Sequence, residues 1–239
     1  MDLNATFGGI TRSGNSGSYS YAVKSGFANK PVVYVSFYDA IRFSNWLHNG
    51  QGSGDTETGA YTLIGEAAMP SNGLTVLRNL GASVWLPSES EWYKAAFYDP
   101  IGDGYFYYPA GSSVPTGCVG PGSDTGNSAN CWPATSPNGA LTEAGAYGLS
   151  DSPSGTFDQG GNVWEWNEQI IFAAYRGMRG GSWNYGGAVD VSVAAWVYAL
   201  PQDEFDYAGF RVASIPEPST GLLVSAGLAG LALRRRLRD

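Results

Sequence analysis

Thirty-four glycines in a chain of 239 residues limit what it can fold into more than any other feature. Each glycine loses more backbone freedom on ordering than another residue would, so long helices and long strands are poor uses for it. The chain must turn often. Aromatic side chains make up 14% of it, and these are the large apolar bodies that a core between short elements needs. A disordered acidic tail lacks them, so disorder is excluded for the bulk of the chain. Its length suits one large domain or two small ones. Thirteen Lys and Arg stand against 21 Asp and Glu, a net charge of −8. That balance speaks against sequence-independent nucleic-acid binding, which requires a basic footprint. The single histidine, His48, and the two cysteines, Cys118 and Cys131, rule out His-rich metal sites, Cys₄ zinc sites and any Ser–His–Asp triad away from His48.

Two helices can be read from their starts. Ser36 with Asp39 three residues on forms a capping-box pattern, followed by Phe37, Ala40, Ile41, Ser44 and Leu47 at helical spacing and by Gly50 as a stop. Ser88 with Glu91 repeats the pattern before Trp92, Ala95 and Ala96, and Asp99-Pro100 ends it. Ser18–Val23 alternates and predicts an edge strand or hairpin. Pro31–Val35 and Val84–Pro87 read as extended, and 50–82 as a long loop with small hairpins. From residue 100 to Arg211 short aromatic strands alternate with Gly, Asn, Asp and Ser turns. The reading is α+β, with two helices packed on irregular small sheets in one domain. His48, at the end of the first helix, is expected at the surface.

The last 24 residues differ in kind. Ile215-Pro216-Glu217-Pro218-Ser219-Thr220 leads into the uncharged run 221–233, and Arg234-Arg235-Arg236 and Arg238 follow. The run would reach roughly 20 Å as a helix, short of the ~30 Å hydrocarbon layer unless flanking residues extend it. The arginines would stay cytoplasmic. An amphipathic or frayed terminal helix is the plainer reading. Pro216, Glu217 and Pro218, the apolar run and the basic cluster together resemble the PEP-CTERM sorting signal of Gram-negative bacteria. The resemblance implies export, membrane anchoring through 221–233, processing by an exosortase, and residence in the envelope, at the cell surface or in extracellular matrix. Such proteins carry a leader, whereas Met1–Gly14 is polar with no apolar core; either the N-terminus is clipped, which is the expectation, or the sequence is a remnant. The expected division is 1–215 as a folded domain and 216–239 as the sorting and anchor segment.

Four stretches in order resemble the formylglycine-generating enzyme family, or sulfatase-modifying factor domain. Pro31–Ala40 with Asn45-Trp46-Leu47 is similar to its first helix. Leu86-Pro87-Ser88-Glu89-Ser90-Glu91-Trp92 is similar to its second. Gly161-Asn162-Val163-Trp164-Glu165-Trp166 matches its Gly-Asn-Val-Trp-Glu-Trp, and Arg179-Gly180-Gly181-Ser182-Trp183 with Gly209-Phe210-Arg211 its closing motifs. The resemblance implies an irregular relative of the C-type lectin fold. It also implies oxidation of a substrate cysteine by copper held on two cysteines. Those two places fall at Tyr185 and Asp190, and a phenol and a carboxylate do not replace thiolates for soft Cu(I). With one histidine, an iron site has no facial set either. No copper or iron is expected, and no catalytic residue is assigned.

The resemblance further implies calcium held by the side chains of Asp158 and Glu165 and the carbonyls of Gly161 and Val163. The alternative is that the two acids cap turns or pair with Arg211 or Arg179. A second such site would begin at Asn130-Cys131-Trp132, but it has no evident acidic partner. Cys118 and Cys131 suit a disulfide closing a short loop in an oxidising compartment; a redox or copper pair is the other reading. Trp46, Trp92, Trp164 and Trp166 are expected in the core. Tyr185, Asp190, Trp196 and Tyr198 either line a groove for a sugar or peptide or pack internally. The expected function is an exported binding module for polysaccharide or protein. Its alternatives are an oxidase of the sulfatase-modifying class using an unrecognised site, or a purely structural matrix protein.

Overall fold

The structure is a computed structural model that describes residues 6–133 and 141–215. The chain opens with an antiparallel hairpin, β1 (Ile10–Ser13) with β2 (Ser20–Val23), in register from Ile10↔Val23 to Ser13↔Ser20. The expected extended run at Pro31–Val35 is not a strand. Tyr34 takes φ 56°, which breaks the alternation, and its N–H donates to the Phe205 carbonyl at 2.8 Å. Val33 accordingly packs with Leu141 and Val163, while the Val35 carbonyl accepts from Trp166 Nε1 at 3.0 Å.

Helix α1 (Phe37–His48) begins at the capping box: Asp39 N–H donates to Ser36 Oγ at 3.1 Å, and Ser36 N–H returns to Asp39 Oδ2 at 3.0 Å. Phe37, Ala40, Ile41 and Ser44 form its buried stripe. Trp46 is only half-buried; its ring lies 5.5 Å from Phe43 and its Nε1 donates to Gly52. His48 is not a surface side chain either. It is half-buried, and its Nδ1 lies 2.7 Å from Ser83 Oγ and 3.1 Å from the Ser83 N–H, which donates to it.

Beyond the 50–82 loop come β3 (Val84–Trp85) and α2 (Glu89–Phe97), the latter started by the reciprocal Ser88–Glu91 box. The pairs β4 (Tyr98–Asp99) with β5 (Gly104–Tyr105), antiparallel, and β6 (Gly117–Cys118) with β7 (Ser128–Ala129), parallel, are two residues long. The main sheet is built on β8 (Trp164–Ile171), β9 (Tyr175–Arg179), β10 (Val197–Ala199) and β11 (Ala208–Gly209), in the order β10-β9-β8-β11, with β11 parallel to β8. β12 (Ala213–Ser214) closes against β3.

Trp164, Glu165, Trp166 and Asn167 are all buried on β8. Strand alternation sends the two tryptophans into the main core with Phe37 and Ile41 of α1. Glu165 and Asn167 go to the opposite side, where Trp92 Nε1 donates to Glu165 Oε2 at 2.6 Å and Asn167 Nδ2 to Glu89 Oε2 at 2.8 Å. Polar side chains are tolerable there because each has a partner. The 50–82 loop is tied down by similar means. Glu168 accepts from Tyr61 Oη at 2.6 Å and from Arg78, whose guanidinium also reaches Glu91 and lies 4.6 Å from the Trp85 ring.

Candidate functional site

The stretch after Ser182 has no sheet to hold it, so backbone turns set its shape. Gly186 and Gly187 both take positive φ, 79° and 65°, before a single 3₁₀ turn at Gly187–Val189. At Gly186 a Cβ would stand 1.5 Å from Asp190 Oδ2; at Gly187 it would meet the Trp132 carbonyl at 2.7 Å. The bare backbone thus lets Asp190 lie back over the turn, and lets the turn press on the segment after Cys131. Cys131 is joined to Cys118, and the pair packs with Val191, the residue after Asp190. No cysteine of the described residues is free.

Asp190 and Tyr185 line one cavity of about 440 Å³. Its floor is Trp164 and Met178 from the sheet, and Tyr198, Phe205 and Tyr207 form the remaining aromatic wall. Phe205 and Tyr207 stack at 4.9 Å, nearly parallel. Tyr198 has three further rings against it, Phe172, Tyr175 and Trp196, at 5.6, 5.0 and 5.9 Å. Trp196 supports Tyr198 from outside and is not among the residues lining the cavity. Phe205 and Tyr207 belong to the groove without having been singled out in the sequence; the signal was an alternating aromatic pair just before Gly209-Phe210-Arg211. Trp164 is core, as expected, and groove floor as well.

Asp190 is the one charged residue among the described residues that line this cavity. Half-buried, its carboxylate receives no hydrogen bond from the described residues, and burial raises its pKa above the ordinary carboxylate value. Arg179, beside Met178 on β9, brings no compensating charge. It pairs with Glu89 at 2.5 Å and donates to the carbonyls of Val193 and Ala195. Asn184 Oδ1 accepts from Ser182 Oγ at 3.2 Å, and its amide nitrogen has no acceptor among the described residues. The groove therefore offers flat aromatic faces, one amide and one bare carboxylate.

A second cavity, of about 400 Å³, is lined by Asp158, Val163, Glu165 and Arg211. The loop before β8 wraps tightly, with Asp158, Gly161 and Asn162 at φ 56°, 79° and 64°. Arg211 grips Glu165 with two bonds, Nε to Oε2 at 2.5 Å and Nη2 to Oε1 at 2.6 Å, and donates to the Phe157 carbonyl at 3.1 Å. Asp158 Oδ2 accepts from the Gly145 N–H at 2.6 Å; burial raises the Asp158 pKa, with the Glu165 charge adding to the rise. Of the alternatives open in the sequence, Glu165 pairs with Arg211 and Arg179 with Glu89. The donors here are all oxygens, the chemistry a hard cation takes. Arg211 already brings one positive charge to them, and the Gly161 carbonyl accepts from the Val163 N–H at 2.9 Å. Asn130, at the second place named in the sequence, points inward and donates to Asn162 Oδ1 at 3.3 Å.

Two short helices against a bent four-stranded sheet, with most of the chain in loops, define an α+β scaffold of the sulfatase-modifying type. Residues 8–215 match the family model of the sulfatase-modifying factor enzyme 1-like domain, and the chain belongs to that family. Residues 214–236 match the PEP-CTERM protein-sorting motif, which marks the protein for export, exosortase-type processing and association with the cell envelope. Pro216, Glu217, Pro218 and the run 221–233 lie outside the described residues. No helix among the described residues is long and apolar enough to cross a membrane. The fold is similar to that of CarF (TM-score 0.55, 23% identity, covering 80% of this chain and 70% of that one). It is also similar to variable protein 1 of Treponema denticola (0.57, 22%, 82% and 74%) and to PvdO from Pseudomonas aeruginosa (0.51, 18%, 84% and 69%). A search of curated proteins found no match.

Proposed function

We propose that this exported domain is a binding module of the cell surface or extracellular matrix, taking a polysaccharide or surface protein in the Tyr185–Asp190 groove, without copper-dependent cysteine oxidation. One observation carries the reading. The two groove positions where the family resemblance calls for copper thiolates hold Tyr185 and Asp190, and both cysteines of the chain are bonded to each other. Soft Cu(I) finds no thiolate there, and the Met178 thioether on the groove floor is a single sulfur where a pair is called for. What the groove keeps instead, aromatic faces beside a hydrogen-bond acceptor, suits a sugar ring or a peptide.

Calcium is the metal this reading retains. The carboxylates of Asp158 and Glu165 and the carbonyls of Gly161 and Val163 would hold it, and its contribution there would be to pin the loop leading into β8. The carboxylate of Glu165 would then be shared with Arg211.

Elemental analysis of the purified protein, with an assay for oxidation of a peptide cysteine, tests the first claim. No stoichiometric copper or iron and no oxidation are expected; one copper per chain with turnover overturns the reading. A glycan array and a panel of matrix proteins test binding, and loss of the captured ligand in Tyr185→Ala assigns it to the groove. Calcium should raise the melting temperature of the wild type and leave that of Asp158→Ala unchanged; an equal rise in both removes calcium from this loop.

A further inference from the structure

Building on the binding role proposed above, we propose that the groove's ligand is a glycan bearing a free amino group, whose protonated nitrogen sits against Asp190 within the aromatic wall. A neutral sugar can donate a hydroxyl to a carboxylate but brings no charge to balance it. The cavity holds an unbalanced carboxylate, and the described residues supply no cation to meet it. Asp190 receives no hydrogen bond from the described residues, no Lys or Arg among them lines the cavity, and the guanidinium of Arg179, the residue after Met178, is spent on Glu89 and two carbonyls. Keeping an unpaired carboxylate half out of water carries a free-energy cost, and a bound ammonium removes that cost.

The setting of Asp190 is built rather than incidental. Its carboxylate rests on the bare Cα of Gly186, where a Cβ would stand 1.5 Å from Oδ2, so its place over the groove depends on glycine at 186. Around it stand Trp164, Tyr185, Tyr198, Phe205 and Tyr207. Aromatic faces beside an anion are the environment that binds ammonium groups, since the ring quadrupole attracts a cation as the carboxylate does. Residues 1–215 carry 9 basic and 19 acidic side chains, a net charge that draws cations to the domain and repels acidic glycans.

A glycan is favoured over a lysine side chain by what adjoins the cavity. Trp196, Tyr198 and Phe172 are 47%, 43% and 74% exposed and contact one another in a row, with centroids 5.9 and 5.6 Å apart. That row extends the aromatic surface outward beyond the cavity, where further sugar rings of a chain can stack. A single lysine would use the cavity and leave the row idle.

Titration calorimetry on the full chain tests the proposal, using short glucosamine oligomers, their N-acetylated counterparts of equal length, and oligolysine. Near neutral pH the glucosamine oligomer should bind about tenfold more tightly than its N-acetylated form, the size expected of one ammonium held by a carboxylate and rings. Asp190→Asn should abolish that difference, bringing the glucosamine oligomer to the affinity of its acetylated form in the same variant. Tyr185→Ala, at a side chain 75% exposed and so safe for folding, should weaken both oligomers alike. Equal affinities in the wild type, or a preference for glucosamine that survives Asp190→Asn, overturns the amine contact while leaving a glycan groove in place. Binding of oligolysine with no response to either sugar overturns the glycan assignment. Silence from all three overturns the amine proposal; if the glycan and matrix-protein screens are silent too, the binding reading fails with it.

Discussion

Glu165 and Asp190 are both acidic, both face cavities of about 400 Å³ or more, and the chain treats them in opposite ways. Glu165 is buried on β8 and meets Trp92 Nε1 and both arms of Arg211. Asp190 is half-buried on a turn, and its carboxylate has no hydrogen-bond or ion-pair partner among the described residues. A family scaffold has to be reassembled on every folding event, so its internal charge is fully partnered. A ligand site has to stay incomplete until the ligand arrives. On the proposed reading of Asp190 as a ligand contact, partner count sets it apart from Glu165 more sharply than burial does, and stability and binding measurements can break that separation.

The largest effect is expected at Glu165. Glu165→Ala strands Arg211 beside Asp158 and orphans Trp92 Nε1, and removal of one member of a buried pair costs about 3–5 kcal/mol. Urea denaturation in the presence of a chelator measures it. A loss under about 1 kcal/mol would mean that Glu165 is as dispensable to the fold as Asp190 is held to be, and the contrast would fail.

Removing the disulfide comes next. Cys118→Ser with Cys131→Ser opens a loop of sequence separation 13 and should cost about 2–4 kcal/mol. The effect should also reach the groove, because the pair packs on Val191 and the Trp132 carbonyl abuts Gly187. Ligand affinity should drop more than it does in a variant of matched instability on the β1–β2 hairpin. If the two variants lose affinity equally, the disulfide is a general brace with no part in holding Asp190.

The same contrast explains what could be read from the sequence. Both helices announced themselves because a capping box is local: the residues that satisfy each other sit three apart, and Ser36–Asp39 and Ser88–Glu91 formed as read. The α+β reading followed from these two helix starts and the short aromatic strands between turns. Glu165 with Arg211 was one of several pairings left open, since 46 residues separate them and only the parallel β8–β11 contact brings them together. Tyr34 and Trp46 went astray for related reasons. A left-handed tyrosine has no sequence signal, and the face a helical tryptophan presents depends on a loop, here Gly52, that composition cannot place. Motif alignment marked Tyr185 and Asp190, but groove lining and internal packing stayed open for them and for Tyr198, because which side chains go unpartnered is a property of the whole fold.

A smaller effect tests the partnered class at the surface. The Arg78 hydrogen bonds hold the Glu91 pKa down at about 2, against an ordinary 4.5, with the Ser88 N–H helping and burial opposing. A depressed folded-state value means that the stabilisation is present above about pH 4.5 and is lost as pH falls toward 2. Glu91 is partly exposed, so solvent screening keeps its worth below about 1 kcal/mol. Comparing wild type with Glu91→Gln across that window should show the gap closing toward acid. A gap that stays constant would assign Glu91 to helix capping alone.

The smallest stability change is expected at Asp190, and its sign is the opposite one. Its folded-state pKa is raised by burial, so the folded chain holds that proton more tightly than the unfolded chain does. Stability from this source is present at low pH and is lost as pH rises through the folded value. Asp190→Asn keeps the shape and removes the titration. Near neutral pH the variant should match the wild type within about 0.5 kcal/mol or exceed it slightly, while the wild type gains on it toward acid. Other carboxylates titrate in both proteins and cancel in the difference curve. A clear loss of stability at neutral pH in Asp190→Asn would mean that the carboxylate has a partner within the chain, and Asp190 would then join Glu165 among the acids that the fold itself consumes.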